Sequence, residues 1–91
     1  MSSIRYAIRV TGLVQGVGFR YSARREALAL GLTGTVRNQS DGSVSIEAEG
    51  SQADLDRFAN WCRGGPRGAR VDHLETCPIP TRGDSGFVIL P

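Results

Sequence analysis

Between positions 12 and 20 the chain reads Gly12-Leu13-Val14-Gln15-Gly16-Val17-Gly18-Phe19-Arg20. Three glycines within seven positions, with a permanent cation close behind, suit the capture of an anion. Glycines let successive backbone N–H groups converge without Cβ clashes. A helix starting just after them leaves its first amides unpaired, at the positive end of its dipole. Arg20 stands in that first turn, where the dipole favours acids over cations. A bound anion lying between the dipole and the guanidinium resolves the conflict. Guanidinium is also a planar fork that fits two phosphate oxygens. The plainer alternative is a solvated surface arginine after an ordinary loop. The loop is not a dinucleotide fingerprint, because Tyr21 occupies the place of the third glycine.

Asn38 is the second candidate. A carboxamide can accept from a water and donate as well, without a charge that repels phosphate. The plainer alternative is turn initiation, since Ser40-Asp41-Gly42 comes shortly after it.

The surrounding elements decide whether these residues can meet. Ile4, Tyr6, Ile8 and Val10 alternate with Arg5, Ala7, Arg9 and Thr11, the period of a half-buried strand. Residues 12–18 read as a loop. A helix is predicted over 20–30, with Phe19, Ala23, Ala27 and Leu30 on one face and Gly31 as its C-terminal stop. A second strand is predicted over 32–38 and a third over 43–49, with Val44, Ile46 and Ala48 inward and Ser45, Glu47 and Glu49 outward. Ser51-Gln52-Ala53-Asp54 resembles a capping box, and Leu55, Phe58, Ala59 and Cys62 come next at helical spacing. Gly64-Gly65-Pro66 ends that helix. A fourth strand is predicted over 70–77, closed by Pro78 and Pro80, and a short final strand over 87–90. The order is β-α-β-β-α-β with an extra C-terminal strand. That is the α+β, ferredoxin-like plan: an antiparallel sheet with two helices on one face, in a single domain over residues 1–91. A right-handed crossover brings the ends of the first two strands to one edge, so Asn38 is expected beside the glycine loop.

Composition removes several other chemistries. The net charge is +2, from eleven cations and nine acids, too balanced to signal nucleic acid or a membrane surface. All eleven cations are arginine, so there is no Schiff-base lysine and no Walker-type phosphate loop. Cys62 and Cys77 have no CxxC spacing, and His73 alone cannot complete a zinc site, so free thiols and no metal are expected. No apolar run approaches the roughly 18 residues of a membrane helix, and the N-terminus lacks a signal-peptide core. A cytoplasmic monomer without nucleic-acid or membrane partners is expected.

Two separate stretches carry a family resemblance. Val10-x-Gly12-x-Val14-Gln15-Gly16-Val17-x-Phe19-Arg20 is similar to the first signature of the acylphosphatases. Gly34-Thr35-Val36-Arg37-Asn38-x-x-x-Gly42-x-Val44, ending at Gly50, is similar to the second. The resemblance implies a ferredoxin-like fold and hydrolysis of acyl phosphates, with no metal, no cofactor and no covalent intermediate. It implies that the backbone of Gln15, Gly16, Val17, Gly18 and Phe19 cradles the substrate phosphate. Arg20 would clamp it and Asn38 would orient the attacking water. Thr35 departs from a usual aromatic and is expected to alter packing near the site. Three other readings are compatible with this fold. An RNA binder would carry aromatics on the third strand, which has none. A non-catalytic anion-binding module would have no need of Asn38. An acylphosphatase-like domain of hydrogenase maturation sits in a longer chain; this chain, ending at Pro91 without a linker, is expected to be free-standing.

Overall fold

The structure is a computed structural model that describes residues 3–91. Its elements are β1 (Ile4–Leu13), α1 (Phe19–Ala29), β2 (Thr33–Asn38), β3 (Val44–Gly50), α2 (Gln52–Gly64), β4 (Arg70–Ile79) and β5 (Phe87–Ile89). They form one sheet of order β4-β1-β3-β2-β5. The four strands of the ferredoxin-like plan pair antiparallel; β5 adds parallel to β2 and makes the sheet mixed.

Alternation along the strands decides what the helices cover. Ile8, Val10, Val36, Val44, Ile46 and Ala48 are buried on one face, under Ala23 and Ala27 of α1 and Leu55, Phe58 and Cys62 of α2. α1 lies against β2 and β5, and α2 against β4, β1 and β3. Phe19, Trp61, Phe58 and Phe87 run through this core with ring centroids 5.6–6.3 Å apart, within the range where aromatic pairs attract beyond their buried area. Ser51 caps α2, its hydroxyl accepting from the Asp54 amide at 3.2 Å. The Ser51 hydroxyl donates in return to the Asp54 carboxylate, at 3.0 Å. Among the described residues no helix is long and apolar enough to cross a membrane. Cys62 is buried, which pushes its thiol up, whereas Cys77 is exposed; both are free.

Two sequence expectations need correction. β4 runs through Pro78 to Ile79 rather than closing at Cys77. It is the edge strand, where a residue without an N–H is tolerated. Arg5 and Glu49 lie on the helix-free face, as their parity requires, yet both are buried. The segment between β4 and β5 folds over them. Arg5 donates to Glu47 at 3.0 Å, to Glu49 at 3.1 Å and to Asp84 at 3.1 Å. Glu49 also accepts from the Arg82 and Gly83 amides, at 2.8 and 3.1 Å. Desolvation opposes the Arg5 charge, but these carboxylates outweigh it and raise its pKa.

The same contacts make Glu49 a source of acid sensitivity. The Arg82 amide, with Arg5 and the Gly83 amide, holds its carboxyl below the usual range against desolvation. Its stabilising contribution is therefore complete above the ordinary glutamate pKa, roughly 4.3, and drains away as pH falls toward the folded value. Glu49→Gln is expected to flatten the fall of Tm between about pH 5 and about pH 3 by the linkage of one proton. Thermal melts across that range check this; a slope equal to wild type removes Glu49 from the acid response.

Candidate active site

The site begins with a fault in strand pairing. β1 pairs with β4 as far as Thr11 and His73, then slips so that Gly12 faces Val71. Gly12 has φ +131°, and a Cβ there would lie 2.2 Å from the Arg70 carbonyl oxygen. Only glycine lets β4 approach so closely. Such a bulge bends its strand and re-aims the residues beyond it, and here those residues are the segment 14–18.

That segment turns through left-handed Gly16 and Gly18, at φ 75° and 78°. Gly18 is the N-cap of α1 and brings no side chain to the orphan amides; the first turn holds no acid. Among the described residues, Ser22 is the first amide of α1 to reach its i−4 carbonyl, Gly18, at 3.0 Å. The amides from Gly16 to Tyr21 have no acceptor within the protein among the described residues. Phe19, buried and tilted against Trp61, pins the first turn to the core.

Arg20 is half-buried in this turn. Arg5, Arg9, Arg57, Arg70 and Arg82 all have carboxylate partners; among the described residues Arg20 has none. Its guanidinium is uncommitted.

Asn38 arrives from the other side. Val44 of β3 pairs with Val10 on one flank and with Asn38 on the other. The ends of β1 and β2 are therefore level, with β3 between them. A cavity of about 210 Å³ opens there, lined by Val14, Gly16, Gly18, Phe19, Arg20, Tyr21 and Asn38. Eighteen positions of sequence close to a shared wall, as the crossover argument expects. The Asn38 Oδ1 is buried and has no hydrogen-bond partner among the described residues. Leaving a buried acceptor unmet costs about 1–3 kcal/mol, so it marks a place where a donor is wanted.

The sequence candidates divide. Gly16, Gly18, Phe19, Arg20 and Asn38 line the cavity; Gln15 and Val17 do not. Val17 packs on the core. The Gln15 side chain reaches across to the hairpin turn, donating to the Gln39 and Ser43 carbonyls. Neither that tie nor the lining by Val14 and Tyr21 is expected from the sequence. Nothing in their residue types announces them beyond position beside the loop. Thr35 is a correction: it lies between Glu47 and Val88 on the helix-free face, opposite the cavity, because its parity differs from that of Asn38.

The hairpin turn that carries Asn38 is itself well tied. Asp41 accepts from the Ser43 hydroxyl at 2.6 Å and its amide at 2.9 Å, and pairs with Arg9 at 2.7 Å. The Ser43 bonds, then Arg9, hold the Asp41 carboxyl well below the usual carboxylate range. A larger hollow of about 460 Å³ lies on the helix-free face, between Arg9, Arg37, Glu47 and Cys77. It contains neither Arg20 nor Asn38, and Asp41 already engages Arg9.

Chemically, the smaller cavity offers one guanidinium, a run of open amides and one carboxamide. Its wall carries no carboxylate, imidazole or thiol. It can hold a small oxyanion and present a neutral acceptor beside it.

Comparison with known proteins bears on the sequence and the fold. Residues 6–89 match the sequence model of one family, described as acylphosphatase. An acylphosphatase of Yersinia pseudotuberculosis is 53% identical over 81 residues, covering 88% of each chain. One from a Synechococcus strain is 49% identical over 87 residues, covering 96% of this chain and 74% of its own. The crystal structure of acylphosphatase from Bacillus subtilis superposes with a TM-score of 0.94 at 36% identity, covering 97% of this chain and 99% of that one. On sequence and fold alike, the chain belongs to the acylphosphatase family of hydrolases.

Proposed function

We propose that the cavity hydrolyses the carboxyl–phosphate anhydride of small acyl phosphates, releasing a carboxylate and inorganic phosphate. The observation that carries this is the unmet Asn38 Oδ1 in the same wall as an uncommitted Arg20 and the open amides. The amides of residues 15–19 and the Arg20 fork would take the phosphate oxygens, with their charge met by a dipole and a cation. A water donating one hydrogen to Asn38 Oδ1 would keep a lone pair directed at phosphorus. Its oxygen forms the new bond to phosphorus as the bond to the acyl oxygen breaks. The carboxylate leaves with that electron pair, and a phosphate oxygen takes the water's proton.

The leaving group needs little acid help, so positioning and charge stabilisation suffice, as in other phosphoryl transfers. No acidic side chain lines the cavity to hold a metal there, which supports a metal-free reaction. A loop that reads only phosphate accepts many acyl groups, so broad acyl specificity is expected. Two free thiols suit a reducing, cytoplasmic setting. A monomer acting on a small-molecule substrate completes the proposal.

The test is phosphate release from benzoyl phosphate with EDTA present and without added metal. Turnover equal to that in untreated buffer is expected. Activity lost to EDTA and restored by magnesium overturns the metal-free mechanism, and no release under any condition overturns the proposal.

A further inference from the structure

We propose that the Gln15 side chain is a positioning residue that fixes Asn38 relative to the phosphate loop; this rests on the function proposed above. Its Nε2 donates to the Gln39 carbonyl at 2.7 Å and to the Ser43 carbonyl at 2.9 Å. Both amide hydrogens are thus spent on one structure, the turn of the β2–β3 hairpin. The acceptors are telling. Gln39 is the next residue after Asn38, and Ser43 precedes Val44, the residue paired with Asn38. Gln39 and Ser43 are bonded to each other as well, the Gln39 amide donating to the Ser43 carbonyl at 2.8 Å. Gln15 therefore grips the hairpin one rung beyond Asn38, from a backbone position inside the glycine loop.

Among the described residues, no other hydrogen bond joins segment 14–18 to this hairpin. The two halves of the cavity otherwise meet through packing and through the sheet, whose last shared rung is Val10–Val44–Asn38. A glycine-rich loop with two left-handed turns has little stiffness of its own. Its position relative to Asn38 is set by whatever crosses the gap, and one carboxamide crosses it. Glutamine suits the task because one nitrogen carries two donors for two carbonyls. Glutamate would turn acceptors toward those same carbonyls, and methionine would keep the length with no donor at all.

The consequence is specific to one step. Letting the loop and the hairpin shift by about an ångström relative to each other puts the bound phosphorus and the water held by Asn38 out of line, which costs roughly a hundredfold in rate. It leaves the Arg20 fork and the loop amides free to hold phosphate. Gln15→Met is expected to lower kcat by roughly ten- to a hundredfold, with little change in inhibition by inorganic phosphate.

The decisive measurement is a cycle with Asn38→Ala, read on benzoyl phosphate at equal folded fraction. Once Asn38 is gone, adding Gln15→Met is expected to cost less than about twofold more, because residues acting through one another are not additive. If the two losses multiply while Asn38→Ala alone is strongly impaired, the positioning role falls and the proposed function stands. If Asn38→Ala alone keeps full activity, the proposed function falls and takes the positioning role with it. Should Gln15→Met fail to fold, Gln15→Asn, which keeps both donors but is too short to reach, is read by the same cycle.

Discussion

Replacing Arg20 by lysine is expected to cut kcat/KM for an acyl phosphate by roughly a thousandfold, the scale seen when a preorganised donor is lost from an anion site. The charge survives this change; the fork does not. Ammonium is a compact, strongly hydrated point charge that cannot span two phosphate oxygens in one plane. The local setting sharpens the contrast. Arg20 is half-buried in the first turn of α1 and has no carboxylate partner among the described residues, so no acid there holds it in place of substrate. With no anion bound it works against the helix dipole, a penalty of about 0.3–1 kcal/mol for a surface cation at that end and more for a partly buried one. Arg20→Met should therefore abolish activity and leave Tm unchanged or slightly raised. Steady-state kinetics with benzoyl phosphate and competition by inorganic phosphate measure the first effect, and thermal melts the second. Near-normal kinetics in Arg20→Lys would take the guanidinium out of the site. A large drop in Tm with Arg20→Met would recast Arg20 as a structural residue.

That Arg20 and Asn38 meet is legible in the sequence because it needs only topology. β1 and β2 both run antiparallel to β3. Any crossover that returns β2 in the direction of β1 brings the two C-terminal ends to one edge. The same is true of the core: parity along β1 and β3 assigns Ile8, Val10, Val44 and Ile46 inward before any coordinate is known. What topology cannot supply is the behaviour of chain without period. Residues 81–86 have no strand or helix signal, yet two of their amides and Asp84 are what bury Glu49 and Arg5. Parity places both on the correct face, and only the covering segment changes their exposure.

Pro78 illustrates a different gap, since its tolerance depends on β4 being an edge, which strand order alone decides. Thr35 is legible but easily misplaced. It sits three residues from Asn38, and nearness in sequence suggests nearness to the cavity. Strand alternation already assigns an odd-numbered β2 residue to the opposite face. The Gln15 bridge lies beyond this kind of reasoning. A side chain can project from a loop in any direction, and no period in the sequence says that this one reaches the hairpin.

Asn38→Ala is expected to lower kcat by roughly a hundredfold or more while KM moves little. The asymmetry comes from the division of labour in the cavity. Phosphate is held by Arg20 and the amides, which the substitution leaves alone. The water loses the acceptor that orients it. Stability should respond far less than activity. Asn38 Oδ1 has no protein partner among the described residues, so deleting it breaks no hydrogen bond within the protein. Against this stands the loss of a few packed side-chain atoms at the end of β2. Tm is therefore expected to change by no more than a few degrees, about 4–8 °C per kcal/mol in a domain of this size. Asn38→Asp separates geometry from charge. It keeps an acceptor of the same shape but sets an anion beside the phosphate, so KM should rise together with the fall in kcat. An Asn38→Ala enzyme whose only defect is a raised KM would make Asn38 a phosphate ligand. A well-folded Asn38→Ala enzyme with full turnover would leave the attacking water to be oriented by something else.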